Sequence, residues 1–431
     1  MLLRFEASNF RSIMEPVELS MIAVDRDRPA ARQFDLLAER VLAIAGIYGP
    51  NASGKSNVVE ALAWVSAAVG RSLRTWDEFV PREPFKFAGG PEAPSVYEVE
   101  MVVHGVRYAY RVEMDDSAVL FESLHSYPLR QPRVLFEREG LEIRFRRGLG
   151  SLSGTRELLT PTTLALSAAM RFDEPEVQPF GRELASIRVL GVRRRAAWRR
   201  LMGGGGPQGG ASTERLFDER GSAIQDSLFG DADFAPLSAR ESALALLRFA
   251  DLGIDDVQIV EDEDGDARIS APSRRQLRLL HRVVDQEVPF DLAEESAGTQ
   301  TWFALIGPTL SALRDGRVLL FDEIDASLHP RLSARLLELF QNRETNPRGA
   351  QLIFTTHDTS LLSHLNRDEV WLTEKGDSGA TTLTALAEYG GDKVRRSLNL
   401  EKAYLQGRFG AVPELDQSAL RRVVGRSLSE E

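Results

Sequence analysis

One stretch restricts the fold more than any other. Residues 41–48, VLAIAGIY, form an unbroken apolar run that leads straight into Gly49-Pro50-Asn51-Ala52-Ser53-Gly54-Lys55-Ser56. Asn57 then opens NVVEALAWVSAAV, whose apolar residues recur with the period of a helix. A strand that is apolar throughout is buried on both faces, and such strands sit in sheets covered by helices on either side. The octapeptide has the spacing GxxxxGK[ST] in the strand-to-helix context that gives it meaning. Backbone N–H groups in such a loop converge on phosphate oxygens, and the helix N-terminus adds positive potential. Lys55 reaches the terminal phosphates, and Ser56 can ligate Mg²⁺.

Composition narrows what surrounds this loop. The 431 residues carry a net charge of −11, with 43% apolar and 27% charged residues, the balance of a globular chain long enough for two or three domains. No apolar stretch approaches a membrane span, and the start MLLRFEASNFRSI lacks the features of a signal peptide, so a cytoplasmic protein without membrane contact is expected. The absence of cysteine excludes disulfides, thiolate zinc sites, iron–sulfur clusters and cysteine nucleophiles. The six histidines show no metal-ligand spacing. Only five lysines occur against many arginines, which makes Lys55 conspicuous.

Pattern along the chain suggests four parts. Residues 1–94 contain two alternating strands and the P-loop. Residues 95–150 read as an antiparallel meander, with YEVEMVV, VRYAYRVEM and VLFERE broken by turn signals. Residues 151–290 read as mainly helical, interrupted by GGGGPQGG at 203–210. Within them the acidic DDVQIVEDEDGD at 255–266 and the basic 274–282 segment fit a hairpin of mixed charge. Residues 291–431 alternate buried strands with helices, the pattern of a doubly wound core.

Three short segments in the last part carry chemistry. Val318-Leu319-Leu320-Phe321-Asp322-Glu323 is an apolar strand ending in adjacent carboxylates, where Asp322 can hold the Mg²⁺ shell and Glu323 can polarise an attacking water. Ser296-Ala297-Gly298-Thr299-Gln300 opens a helix and offers exposed N–H groups as a second anion site, although alone it is only an N-cap. His357, in TTHD after QLIFT, would by itself be a structural strand-end histidine.

The order P-loop, SAGTQ, LLFDEIDASLHP, TTHD resembles that of the ATP-binding-cassette ATPases, in the SMC, RecF and OLD-like branch, where a long insertion separates the P-loop from the signature helix. The resemblance implies an α/β fold: an ABC-ATPase head with a β-rich N-terminal lobe and a mainly helical insertion. It makes Ser296 to Gln300 the signature motif, Asp325 to Leu328 the D-loop and His357 the switch histidine facing the γ-phosphate. Asn9-Phe10-Arg11-Ser12 resembles the NFRS element beside the nucleotide, so Asn9, Arg11 and Ser12 join the expected ATP-binding set. Two departures stand out. No glutamine lies between Lys55 and Gln131 to serve as a glutamine loop, and Ala297-Gly298-Thr299 replaces the Ser-Gly-Gly of transporters.

PREPFKF at 81–87 and GRFGAVPELD at 407–416 look like segments of single-head ATPases from bacterial phage-defence and abortive-infection systems. The implied function is Mg²⁺-dependent ATP hydrolysis by heads that dimerise around nucleotide and regulate or scaffold a separate nuclease or toxin in bacterial anti-phage defence. The alternative is a RecF-like DNA-repair clamp, for which RVLGVRRRAAWRR, Arg188 to Arg200, supplies six arginines for phosphate contacts. A solvated or interprotomer helix face explains those arginines equally well.

Overall fold

In a computed structural model of the full chain, the structure describes residues 1–25, 30–33, 39–128, 131–191, 208–218, 238–250, 253–261, 275–283, 286–326, 328–389 and 399–411. The glycine tract at 203–207, the arginines of 192–200 and the tail from 412 onward lie outside them.

The P-loop strand Ile44–Tyr48 sits inside a six-stranded sheet. The order is Arg188–Leu190, Val318–Phe321, Gln351–Thr355, Ile44–Tyr48, Val370–Lys375, Thr381–Ala385. The first five strands are parallel and only the last is antiparallel. Burial on both faces explains the continuous apolar runs read from the sequence, and the pleat sorts them. Val318, Leu320 and Ile353 join one core cluster, while Leu319, Phe321, Leu352 and Phe354 join the other. The helices Ala297–Asp315 and Pro330–Gln341 cover the second face.

The first face is covered by the P-loop helix, Lys55–Thr75, which is buried along nearly its whole length because a second sheet lies beyond it. That sheet has seven strands in the order Glu142–Phe145, Arg133–Glu139, Val119–Tyr127, Val106–Met114, Ser95–Val103, Leu2–Ser8, Val17–Ser20. The meander therefore continues the N-terminal hairpin, with Phe5 opposite Val99 and Ala7 opposite Tyr97. Trp64 of the helix stacks on Tyr97 at 5.1 Å, and its indole N–H donates to the Pro81 carbonyl at 3.1 Å.

The stretch 151–290 holds strands as well as helices. Arg188–Leu190 pairs in parallel with Leu319–Phe321 and extends the core sheet. The mixed-charge hairpin forms as Ile254–Glu261 against Arg275–Val283, and Gln286–Asp291 adds a third strand. Arg282 bonds Asp255 at 2.7 Å and Arg278 bonds Asp291 at 3.1 Å, so the opposed charges pair across the strands. No helix among the described residues is long and apolar enough to cross a membrane.

Candidate functional site

Parallel strands put their carboxyl ends on one edge of the sheet, and three such ends converge here. Ile44–Tyr48 runs into the P-loop, Val318–Phe321 into Asp322 and Glu323, and Gln351–Thr355 into Thr356 and His357. The strand bearing His357 lies between the other two.

The P-loop needs backbone that only glycine adopts freely. Gly49 has φ of 152° and Gly54 of 105°. A Cβ on Gly54 would also run into the Thr381 and Ser12 hydroxyls. Gly54 caps the helix without a side-chain hydrogen bond. The N–H groups of Asn51, Ala52, Gly54, Lys55 and Ser56 accordingly have no hydrogen-bond acceptor among the described residues. Orphan donors at a helix start are an anion cradle. Behind them a chain of hydroxyls fixes the loop. Asn57 Nδ2 donates to Ser12 Oγ at 2.5 Å, Ser12 meets Thr381 Oγ1 at 2.7 Å, and Thr381 donates to the Ser53 carbonyl at 2.8 Å. Ser53 Oγ lies 2.6 Å from Thr373 Oγ1, which donates to the Tyr48 carbonyl at 3.2 Å.

Lys55 is 5% exposed and folds over its own loop, donating to the carbonyls of Gly49 at 2.8 Å and Pro50 at 3.0 Å. Its Nζ is 3.4 Å from His357 Nδ1. Burial pulls the Lys55 pKa down to about 8, against the opposing pull of Asp325, Asp322 and Glu323. Burial and the Lys55 charge likewise hold His357 below the usual histidine value. With Nδ1 accepting from Lys55, the neutral ring carries its proton on Nε2.

Thr355 organises the carboxylates. Its hydroxyl donates to Asp322 Oδ1 at 2.6 Å and accepts the Glu323 N–H at 2.8 Å. Glu323 has φ of 55°, a left-handed conformation that a non-glycine residue holds at a cost of about 1–3 kcal/mol. Strain of this kind turns the chain sharply at the strand end. The Glu323 carboxylate makes no hydrogen bond or ion pair among the described residues, but it acts electrostatically on both Lys55 and His357. Two residues further, Asp325 Oδ1 accepts from Thr356 Oγ1 at 2.7 Å and from the His357 N–H at 3.2 Å. Asp325 thus shapes the turn that presents His357.

The donor set suits Mg²⁺. Mg²⁺ takes hard oxygen ligands, commonly one or two carboxylates completed by phosphate and water. Among the described residues, Asp322 has one oxygen committed to Thr355 and the other without a partner, and the Ser56 hydroxyl is unused.

Other sequence-expected residues have different neighbours. The Asn9 amide is buried and bonds Gly90, Ala93 and Pro94 carbonyls and the Phe85 N–H. The Arg11 guanidinium forms a fork on Glu83 at 2.9 and 3.1 Å, pairs with Glu60 of the P-loop helix, and its side chain is 6% exposed. Asn9 thus braces the 85–94 segment and Arg11 ties Glu83 to the P-loop helix, while Ser12 stands directly behind the P-loop.

Ser296 caps its helix by accepting the Thr299 N–H at 3.1 Å, and Gln300 Nε2 donates to the Glu295 carbonyl at 2.8 Å. Ser296 and Ala297 are exposed, Gly298 is half-buried, and no hydrogen bond or ion pair links 296–300 to the P-loop. The sequence pointed to none of Thr355, Thr373 and Thr381. Threonine is common in strands, and only its place at the polar end of an apolar run hints at a hydroxyl facing the loop.

Solved SMC head domains are similar to this chain. One bound to the C-winged helix domain of ScpA matches at 14% identity and a TM-score of 0.46, covering 89% of this chain and 97% of that chain. A head with an extended coiled coil, bound to the C-terminal domain of ScpA derived from Pyrococcus furiosus, matches at 14% and 0.43, covering 94% and 98%. The SMC head domain from Thermotoga maritima matches at 13% and 0.39, covering 89% and 98%. None of the curated proteins matches. Residues 44–363, from the P-loop strand to beyond His357, match the family described as an AAA domain, putative AbiEii toxin, type IV toxin–antitoxin system. That span is most of the chain and contains every strand end of the site, and the chain belongs to this AAA-domain family.

Proposed function

We propose that the chain is an ATP-hydrolysing head. It closes as a dimer around nucleotide, each P-loop facing Ser296 to Gln300 of a second copy, and it regulates a separate nuclease or toxin in bacterial defence against phage. The observation that carries the reading is the convergence of Lys55, Asp322, Glu323, Asp325 and His357 at three adjoining strand ends beside a loop of unpaired N–H groups. In this reading Lys55 leaves the Gly49 and Pro50 carbonyls for the terminal phosphates. Ser56 and the second oxygen of Asp322 would hold Mg²⁺, which would neutralise phosphate charge there. Glu323 orients and polarises the attacking water, and His357 Nε2–H donates to a γ-phosphate oxygen.

The exposed start of the helix Ala297–Asp315, with no bond to its own P-loop, supports completion by a second copy. The family's description as a putative toxin of a toxin–antitoxin system supports action beside a second gene product. ATP turnover and sizing chromatography test the head. The wild type should hydrolyse ATP with Mg²⁺, and Glu323→Gln should accumulate an ATP-dependent dimer. A chain that neither turns over ATP nor changes size with it refutes the reading. Purification with the product of the adjoining gene, with and without ATP, tests the effector, and a complex in neither state removes it.

A further inference from the structure

The helix that begins at Ser296 has a built-in weak point. Its nineteen residues, Ala297–Asp315, contain Pro308 in the interior. Proline supplies no N–H, its ring crowds the preceding turn, and it disfavours helical backbone at the residue before it. That residue is Gly307, which adds freedom of its own. A hydroxyl from the insertion occupies this point. Thr213, fully buried in the helix Gln208–Phe217, donates to the Phe303 carbonyl at 2.7 Å and accepts the Gly307 N–H at 2.8 Å. It stands astride the rung that joins those two groups in a regular helix, and a side chain lodged in the ladder is a recognised cause of a bend.

The insertion grips the same turn twice more. Phe217 stacks on Phe303 with centroids 6.2 Å apart, and Trp302 Nε1 donates at 2.7 Å to the Leu246 carbonyl of the helix Ala239–Ala250. Beyond the weak point the helix is anchored. Gly316 closes it in a left-handed conformation, with its N–H on Ala312, and the chain enters the strand that delivers Asp322 and Glu323. Upstream lies the exposed segment Ser296 to Gln300. A bend at Gly307 would therefore move that segment relative to the carboxylates.

We propose that Thr213 is a positioning residue through which the insertion sets the bend of this helix, and with it turnover at the nucleotide site. The proposal rests on the ATPase reading above and adds its regulation. At 1.5 Å per residue the segment Ser296 to Gln300 lies about 10–16 Å from Gly307, so a bend change of about 10° displaces it by about 2–3 Å. A misplacement of about 1 Å at a reacting centre can cost about a hundredfold in rate. The P-loop belongs to the sheet that anchors the other end of this helix, so its affinity for nucleotide should be left alone.

Thr213→Val keeps the shape and removes the hydroxyl, and Thr213→Ser restores it. For wild type and both variants the measurements are the ATP dissociation constant, kcat per nucleotide-bound head, the melting curve, and amide exchange across 296–307. Thr213→Val should lower kcat at least about tenfold, raise exchange around Gly307 and leave the ATP dissociation constant within about twofold. Thr213→Ser should recover kcat and protection together. Turnover in Thr213→Val equal to wild type overturns the proposal. So does a loss of activity that follows only the folded fraction or nucleotide affinity, or a serine variant that fails to rescue. A wild type that hydrolyses no ATP overturns the ATPase reading itself, and the regulation of turnover with it. Wild-type turnover with an indifferent valine variant overturns the positioning role alone.

Discussion

Lys55 should make nucleotide affinity fall with rising pH in a range where an ordinary P-loop lysine would be silent. Burial lowers its pKa from the usual lysine value to about 8, although Asp325, Asp322 and Glu323 oppose the shift. The sign follows from which form binds. Phosphate is held by the ammonium, which dominates below about pH 8 and is lost above it. Bound phosphate returns the pKa to the lysine range or higher, so the free protein's titration controls the slope. The apparent dissociation constant then scales as one plus ten to the power of pH minus pKa. It weakens about tenfold between about pH 7 and pH 9, which is about 1.4 kcal/mol. The last phosphate ionisation lies near pH 6, and His357, held low by burial and by Lys55, stays neutral throughout. Neither adds to the slope. Calorimetric titration with a non-hydrolysable ATP analogue and Mg²⁺ gives the curve, and Lys55→Arg is the control because guanidinium does not titrate in this range. A wild-type constant that is flat between about pH 7 and pH 9, or a slope shared by the arginine variant, would refute the assignment of the desolvated ammonium to phosphate.

Lys55→Ala should abolish nucleotide binding, as read by filter binding of labelled ATP, because it removes the one side-chain charge at the loop. Glu323→Gln should bind ATP as the wild type does but turn over at least about a hundredfold more slowly, since an amide cannot polarise water; phosphate release measures it. Thr355→Val should raise the Mg²⁺ concentration needed for half-maximal turnover and cost about 1–3 kcal/mol of stability, because Asp322 Oδ1 and the Glu323 N–H both lose their partner. Mg²⁺ titration of turnover and thermal melting report the two effects.

The nucleotide-binding edge was legible because its requirements are local. The P-loop needs glycine at left-handed positions and a lysine at fixed spacing, and the strands that flank it must be apolar on both faces, so each is visible in a few consecutive residues. Which strands become neighbours is a different matter. Nothing in Gln351–Thr355 announces that it inserts between the P-loop strand and the carboxylate strand, and nothing in Arg188–Leu190 announces the edge of the same sheet. Pairing across more than a hundred residues leaves no periodic trace. The strands of the meander pair antiparallel, and their edge pairs with Leu2–Ser8 over a core shared with the helix Lys55–Thr75, a long-range register that no local pattern spells out.

The NFRS element shows how neighbouring side chains claim a charge whose partner the sequence alone leaves open. Arg11 bears a charge that could face phosphate, but Glu60 on the P-loop helix and Glu83 on the 81–87 segment take it first. A buried guanidinium without those carboxylates would be strongly disfavoured, and the carboxylates without it equally so. The three side chains therefore come as a set, and the set ties the turn after Leu2–Ser8 to the helix that follows the P-loop. Ser12, one residue on, is then held against Asn57 and Thr381, and through Thr381 against the Ser53 carbonyl. A loop whose donors must stay unpaired to receive phosphate cannot be braced by those donors. Its rigidity has to come from carbonyls and side chains behind it, which is where Ser12, Thr373 and Thr381 stand.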